Sequence, residues 1–230
     1  MAGGGLPEPI LFVEEAFKAV GWHHPPGHVV YAWTVMALLI VLGIIATRKI
    51  QMVPTGMQNI FETVIGGLED FIVLNMGEDG RKVVSFLVPL FLFIVTSNLI
   101  GLIPGMDSPT NNVNTNAAMA ITVVCYYNFW GLRIWGPKYI KHFMGPFWWL
   151  APLMFPIEIV SHLARPLSLT LRLFGNVKGE EIVLILLFSL APVVGTFPMY
   201  FLFSLADVIQ AFVFFMLTMI YLKGSFEHGH

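Results

Sequence analysis

The fold is decided by one stretch, residues 156–190, which reads PIEIVSHLARPLSLTLRLFGNVKGEEIVLILLFSL. It is apolar enough to enter a membrane, yet Arg172 stands near its middle. No acidic residue lies three or four positions from Arg172 on either side, so no carboxylate one helical turn away can pair with it. A guanidinium keeps its proton in proteins, so the charge cannot be removed by neutralisation. The counterion of Arg172 must therefore come from elsewhere.

The composition places the chain in a membrane. Hydrophobic residues make up 57% of the sequence and charged residues 11%, and the mean hydropathy is +0.77. Soluble proteins are about 45–50% apolar and about 25% charged. A net charge of −2, without any long basic block, argues against nucleic acid as a partner.

Long apolar runs predict an all-α polytopic membrane protein with about five membrane-crossing helices, since each crossing needs about 20 apolar residues. The predicted crossings are residues 29–47, 83–104, 116–135, 156–190 and 199–222. As one helix, 156–190 would reach roughly 52 Å across a hydrocarbon layer only about 30 Å thick, so it must tilt strongly or break at Pro166. A steep tilt is the favoured interpretation.

The rest of the chain is predicted to lie at the membrane surfaces, and 1–230 is read as a single membrane domain. Residues 54–77 have helical spacing of apolar positions but too many charges to cross, so they predict a surface helix. Residues 1–28 are assigned to an N-terminal outer segment. Lys and Arg flank alternate ends of the crossings, which predicts an N-terminus outside and a C-terminus in the cytoplasm.

Polar side chains recur at spacings of three or four along 156–190, which places them on one helix face. The stripe comprises Glu158, His162, Arg165, Leu169, Arg172, Asn176 and either Gly179 or Glu180, among which only Leu169 and Gly179 are not polar. Ionisable groups at membrane depth mark ion paths as a default hypothesis. The alternative is that they reach the two interfaces or join helices, and for Glu158 and Arg165 both interpretations stay open.

Arg172 favours an ion path more strongly because its neighbours are apolar. An arginine at the bilayer centre costs about 2.5–3.5 kcal/mol on insertion scales. A fixed positive charge cannot relay protons. It can attract a carboxylate that passes by on another subunit, and it can block direct proton flow between two aqueous vestibules.

Further polar groups lie in the last span and near the outer ends of earlier spans. Asp207 is the only charged residue in 182–222 and stands three residues before Gln210, which suits a proton-accepting site or, alternatively, a hydrogen bond between helices. Lys178 and Glu181 have the spacing of a structural ion pair. Asparagines that can line an outer vestibule are Asn98, Asn111, Asn112, Asn114 and Asn116.

Several stretches together resemble a known family. They are RPLSLTLRLFGN (165–176) followed by an acidic pair, IQAFVFFMLTMIYL (209–222), PIEIVSHLARP (156–166), NLIGLIPG (98–105) and NVNTNAAMA (112–120). These residues resemble subunit a of the F-type ATP synthase, bacterial type, over nearly the whole chain. The RLFGN block is the most specific of them.

The resemblance implies a proton-conducting stator subunit that is not an enzyme by itself. In that family, subunit a abuts a rotating c-ring, with which the last two long helices, strongly tilted, would make contact. Protons would enter by one half-channel, ride on the ring carboxylates, and leave by the other, with Arg172 facing those carboxylates. The implied partners are the c-ring, b-type peripheral stalk subunits and the remaining synthase subunits, in the lipid bilayer of the bacterial plasma (inner) membrane.

The resemblance also assigns residues to the two half-channels. Asn176, Glu181 and Gln210 fall on the outer half-channel, together with the candidates Glu180, Asp207, Asn98 and Asn114. Glu158 falls on the cytoplasmic half-channel, where His162, Ser161 and Ser168 are further candidates. The transported ion is expected to be H⁺ rather than Na⁺, and no cofactor or metal site is expected.

This sequence departs from the family pattern at three positions. Phe203 stands where many members carry an acidic residue or histidine, and Asp207, one turn later, is a candidate replacement. Lys178 stands where an uncharged residue is common, and Glu180 where a small one is. On a helix, Glu180 lies about 80° and Glu181 about 180° from Arg172, at roughly 100° per residue. The stripe thus favours Glu180, whereas the family register favours Glu181, which is kept first.

Two other classes of function remain as alternatives. A self-contained secondary transporter with a polar midplane site would need a substrate cavity, and the absence of repeated halves argues against it. A structural scaffold would use the stripe for helix association. A stator should copurify with a small hairpin protein that bears a mid-helix carboxylate, whereas a transporter should not.

Overall fold

The computed structural model describes residues 26–48, 50–51, 56–103, 105–136, 151–190 and 195–227. Most of the predicted N-terminal outer segment, 1–28, lies outside the described residues. In the described part every regular element is helical, so the all-α class is confirmed.

Within the described ranges, six α-helices follow the predicted order. They are α1 (Gly27–Thr47), α2 (Met57–Met76), α3 (Val84–Gly101), α4 (Val113–Trp135), α5 (Ala151–Leu190) and α6 (Thr196–Glu227). Two short 3₁₀ helices, Gly77–Lys82 and Pro109–Asn111, precede α3 and α4. A helix stands at each of the five predicted crossings, and α2 stands where the surface helix is predicted.

Three of these helices are long and apolar enough to cross a membrane, namely α1, α3 and α6. Both α4 and α5 carry more polar residues, so length and composition do not by themselves mark them as spans. Their crossing of the bilayer stays a prediction, as does the position of α2 at its surface.

Helix α5 is continuous through both of its prolines, Pro156 and Pro166. It therefore does not break at Pro166, and its 40 residues extend for about 60 Å at about 1.5 Å each. Thr170 donates a hydrogen bond from Oγ1 to the carbonyl oxygen of Pro166 at 2.7 Å. A straight helix of this length is about twice the hydrocarbon thickness, which agrees with the steep tilt that the sequence favours.

The turn between α3 and α4 is tightly packed. Ser108 donates to the carbonyl oxygen of Ser97 at 2.7 Å, and a Cβ on Gly101 would come within 2.6 Å of the Ser108 Cβ. The Asn112 side chain accepts from the backbone N–H of Asn114 at 2.9 Å, which caps α4. This cap explains why α4 begins at Val113, three residues before the predicted start.

The core lies among α3, α4, α5 and α6. Its fully buried side chains include Leu87, Ile94, Val123, Leu169, Leu173, Phe214 and Phe215. The opposite faces of α5 and α6 are apolar and exposed, and include Leu163, Leu167, Leu171, Phe201, Leu205 and Ile209. The two long helices thus separate a packed interior from a broad apolar surface, and the polar stripe lies along the boundary.

Candidate functional site

Arg172 lies on the outward face of α5. Its side chain is exposed, whereas the next residue, Leu173, is fully buried. None of the described residues forms a salt bridge with Arg172, although ion pairs form elsewhere on the same helix. The structure therefore leaves its charge on an apolar surface, as expected if the counterion comes from another chain.

One turn further along α5, Asn176 is half-buried between this surface and the interior. Its amide donates from Nδ2 to Oε1 of Glu180 at 2.6 Å. Glu180 is only 8% exposed, and Asp207 of α6, which is 1% exposed, lies near enough for the two carboxyl groups to interact electrostatically. Two helices thus bring two buried carboxyl groups together next to Asn176.

Asp207 and Gln210 also carry polar atoms that lack a partner. Within the described part of the chain, Oδ1 of Asp207 and Nε2 of Gln210 are buried and have no hydrogen-bond partner. Buried polar atoms in proteins are bonded in the great majority of cases, often to ordered water. The α6 side of this cluster is therefore suited to bind water or an arriving proton.

Glu181 lies in a different environment from Glu180. Its Oε2 accepts from Nζ of Lys178 at 2.7 Å and from Nδ2 of Asn111 at 3.0 Å. The spacing of Lys178 and Glu181 predicts this ion pair. The same Asn111 amide donates to Oδ1 of Asp107 at 3.1 Å. Burial raises the pKa of Asp107, and nearby Glu181 acts in the same direction, while Asn111, Ser108 and Lys178 oppose the shift.

Asn98 is buried in a polar cluster between α3 and the turn. Thr110 donates to its Oδ1 at 2.7 Å, and Asn116 donates from Nδ2 to the Thr110 carbonyl oxygen at 2.7 Å. Among the described residues, Ser97 Oγ, Asn98 Nδ2 and Asn116 Oδ1 remain buried without partners. Asn114, by contrast, is exposed in the first turn of α4, and its side chain makes no hydrogen bond within the described residues.

The other end of the stripe forms a second cluster. His162 places Nε2 3.5 Å from Oε1 of Glu158, and its Nδ1 lies 2.8 Å from the hydroxyl of Tyr127 on α4. Tyr127 is 1% exposed. The three side chains therefore form a chain of titratable and hydroxyl groups between α4 and α5.

Arg165 of α5 packs beside this cluster. Its guanidinium carbon lies 5.8 Å from the ring centre of Tyr127 and 5.1 Å from that of Tyr221 on α6, within range of cation–π attraction. Ser161, the residue before the histidine of this cluster, is half-buried, whereas Ser168 is exposed one turn before the outward arginine. Arg165 thus packs between helices, while Ser168 shares the outward face.

Three contributors were not identified from the sequence: Tyr127, Thr110 and Asp107. Each meets the stripe or the asparagines through a contact between distant parts of the chain, which periodicity along one helix does not reveal. The only available signal was chemical, since a Tyr, a Thr and an Asp stood in otherwise apolar or Asn-rich stretches. No group of three or more His, Cys, Asp or Glu side chains is arranged to hold a metal in the described ranges.

Comparison with known proteins finds relatives along nearly the whole chain. Residues 29–223 match a family described as the ATP synthase A chain. A protein of Solidesulfovibrio magneticus named ATP synthase subunit a is 72% identical, with 99% of each chain covered. A protein of the same name from Nitratidesulfovibrio vulgaris is 60% identical, with 99% of each chain covered. One from Oleidesulfovibrio alaskensis is 57% identical, covering 98% of this chain and 99% of its own.

Proposed function

The chain belongs to the ATP synthase subunit a family, and we propose that it conducts protons along two half-channels that Arg172 separates. As a member of this family it is a proton-translocating membrane subunit of the ATP synthase complex and is not catalytic alone. It acts together with other subunits of that complex. This membership disfavours a self-contained secondary transporter.

The position of Arg172 carries the proposal. A permanently charged guanidinium is exposed on an apolar helix face and has no ion-pair partner in the described residues. Such a charge is costly in a bilayer unless an anion meets it. We infer that a carboxylate on each c-ring subunit passes this face in turn. Arg172 attracts each carboxylate and promotes release of its proton, and its own charge repels protons moving directly between the half-channels.

The outer half-channel is assigned to the cluster between α5 and α6. Protons reach Asp207 and Glu180, which lie close together. Asn176 donates to Glu180 and holds this carboxyl group beside the outward face, from which the proton passes to a ring carboxylate. Gln210 and Asp207 present buried atoms without partners among the described residues to this route. The buried polar cluster of Asn98, Thr110 and Asn116 lies nearer the α3–α4 turn and extends this route, and Asn114 stands at the exposed entrance.

The cytoplasmic half-channel is assigned to Ser168, Ser161, His162 and Glu158. This half-channel starts at Ser168, on the face that it shares with Arg172. It ends at Glu158, which lies two turns before Arg165, toward the N-terminus of α5. His162 links them because one ring nitrogen faces Glu158 and the other meets the Tyr127 hydroxyl. A neutral tyrosine hydroxyl that donates to Nδ1 leaves the proton on Nε2, which is the nitrogen nearer Glu158.

The remaining assignments follow from the same proposal. The ring and b-type stalk subunits are the partners on the two sides of the chain, in a bacterial plasma membrane. The N-terminus lies outside and the C-terminus in the cytoplasm, and the ion is H⁺ with no cofactor. These assignments rest on the basic residues at the helix ends and on the family resemblance.

The test compares Arg172→Ala with the native chain in sealed vesicles that contain the assembled synthase. We expect ATP-driven acidification to be lost while passive proton leak is retained or increased, because the barrier between the half-channels is removed. Arg133→Ala is the matched control, since Arg133 at the end of α4 lies 5.5 Å from the Trp130 ring centre and away from the stripe. Pumping near the native rate in Arg172→Ala would refute the proposal.

A further inference from the structure

Glu180 and Glu181 are both candidates for the acidic residue of the outer half-channel, but their surroundings in the structure differ. We propose that Glu181 lies off the proton path and, with Lys178, forms a latch that holds the α3–α4 turn against α5. The term outer latch refers here to Asp107, Asn111, Lys178 and Glu181. This inference rests on the proposed function, because it divides the outer half-channel between path and support.

The contacts of Glu181 are those of a structural group. Its Oε2 already accepts two hydrogen bonds, at 2.7 Å from Lys178 and 3.0 Å from Asn111. Oε2 is held by both an ammonium and an amide, so its lone pairs are engaged, and protonation of the carboxylate at either oxygen would give up the charge that pairs with Lys178. Among the described residues, Glu180 accepts only from the neutral Asn176 amide, and it faces Asp207, another carboxyl group.

The burial of the two side chains agrees with this division. Glu180 is 8% exposed and points into the contact between α5 and α6. The Glu181 side chain is 44% exposed and that of Lys178 is 39% exposed, so both lie toward the rim. One position along a helix turns a side chain by roughly 100°, which is enough to move it from the path to the rim.

The latch acts through Asn111, the last residue of the short 3₁₀ helix. Asn111 joins α5 to Asp107, while the preceding Thr110 binds Asn98 at 2.7 Å and receives a bond from Asn116 at 2.7 Å. A turn held at Asn111 therefore keeps the buried asparagines of the outer vestibule in place. Lys178 and Glu181 are positioning residues in this arrangement.

Lys178 also explains how the family's acidic position can change its role. A lone carboxylate at 181 would remain available to protons, but an ammonium three residues earlier pairs with it. The neighbouring position carries a second glutamate, which supplies a carboxyl group inside the helix contact. The chain thus has one acidic residue for the path and one for the latch.

The first experiment separates the two glutamates by ATP-driven acidification in vesicles, normalised to the amount of assembled synthase. Glu180→Gln is expected to lose about a hundredfold or more, as when an acid–base group is removed. Glu181→Gln is expected to lose no more than about fivefold, the range for a half-exposed ion pair. Adding Lys178→Gln to Glu181→Gln should restore pumping to within about twofold of native. In that double variant the amide carbonyl introduced at position 181 can still accept from Asn111.

Charge reversal gives an independent rescue. Lys178→Glu combined with Glu181→Lys restores an ion pair of opposite direction. Asn111 can turn its amide so that Oδ1, buried and without a partner among the described residues, accepts from the new lysine. We expect this variant to pump no worse than Glu181→Gln alone.

The second experiment measures the latch itself. Amide hydrogen exchange in residues 105–112 of the intact synthase is expected to become faster in Glu181→Ala and to stay native in Glu180→Gln. Unchanged exchange in Glu181→Ala would overturn the latch. A hundredfold loss in Glu181→Gln that Lys178→Gln does not relieve would place Glu181 on the path. Normal pumping in both Glu180→Gln and Arg172→Ala would instead remove the proposed function.

Discussion

At the residue scale, the Asn111 side chain links two acidic residues, Asp107 of the α3–α4 turn and Glu181 of α5. Asn111 donates to Asp107 at 3.1 Å and to Glu181 at 3.0 Å, so it brings two carboxyl groups close together. Among the described residues, Lys178 offsets their negative charge by its direct bond to Glu181. Asp107 is half-buried and has no direct contact with a cation in the described part of the chain. Its negative charge is therefore not directly neutralised there.

This arrangement predicts a pH dependence for Asp107. Burial raises the pKa of Asp107, so the folded chain binds this proton more tightly than the unfolded chain does. The folded state is then favoured at low pH and loses stability as the pH rises from the ordinary aspartate pKa, about 3.9, through the raised value. Asp107→Asn keeps an acceptor for Asn111 and removes the charge.

We expect Asp107→Asn to unfold at a slightly higher temperature than the native chain at pH 8. The difference should shrink as the pH falls toward about 4. Thermal unfolding of the detergent-solubilised complex across this range measures it. Asp79→Asn is the control, because Asp79 forms an exposed pair with Lys82 that should contribute little at any pH. A difference that grows at low pH would contradict the expected sign.

At the element scale, sequence patterns predict the helices well and their ends less well. Long apolar runs were sufficient to place α1, α3 and α6, because a crossing helix needs little beyond length and hydropathy. The start of α4 depends on the Asn112 cap, and α5 extends from Ala151 through Pro156, so it includes five residues before the predicted start at 156. Hydropathy does not reveal a helix cap or a proline that a helix tolerates, because both depend on local contacts.

The candidate site shows the same division. The stripe on α5, including Arg172 and Glu180, follows from a spacing of three or four residues along one helix. The choice between Glu180 and Glu181 depends on a turn residue and on α6, which contact one glutamate each. Tyr127 was missed because its partner His162 is 35 residues away. Contacts between elements therefore require the fold and not the pattern alone.

The hydrogen bond between α4 and α5 gives the element-scale prediction. Tyr127→Phe keeps the ring beside Arg165 but removes the hydroxyl that bonds Nδ1 of His162. We expect proton pumping to fall about threefold to tenfold, the effect of roughly one lost hydrogen bond. The loss should be smaller when His162 is already Gln, because the bond to the ring is then gone and only the contact of the hydroxyl with Arg165 remains to be lost.

Pumping rates of the two single variants and the double variant test this coupling. Tyr126→Phe is the matched control, because Tyr126 is the neighbouring residue and its ring centre stacks 3.9 Å from that of Phe86. Losses that multiply in the double variant would show that Tyr127 acts independently of His162.

At the scale of the whole molecule, the outward face of α5 and α6 is the feature that requires a partner. Its apolar side chains are exposed along both long helices, and Arg172 lies among them. Lipid alone would cover the apolar groups but would leave the guanidinium without an anion. The rotating ring of the proposed function, whose helices carry carboxyl groups, would satisfy both requirements and would account for one packed and one unpacked face of α5.

Cysteine cross-linking tests whether the outward face of α5 meets the proposed ring. Ser168→Cys, exposed on the outward face, should form a disulfide with a cysteine introduced one turn from the carboxylate of a ring subunit. Thr170→Cys, only 6% exposed on the inner face, should not, because a disulfide needs Cα atoms about 4.4–6.8 Å apart. Both are made in a Cys125→Ser background, since Cys125 is free and exposed.

The cross-link also reports on rotation. If each ring subunit passes the same face in turn, as we propose, a single disulfide at position 168 should stop ATP hydrolysis coupled to pumping, and a reducing agent should restore it. Cross-linking at position 170 as efficient as at 168 would mean that the packed face of α5 opens to the ring. Leu169 and Leu173 are fully buried between α5 and the rest of the core. Opening that face would forfeit their van der Waals packing, which is a main source of attraction between helices in a bilayer, so we do not expect it.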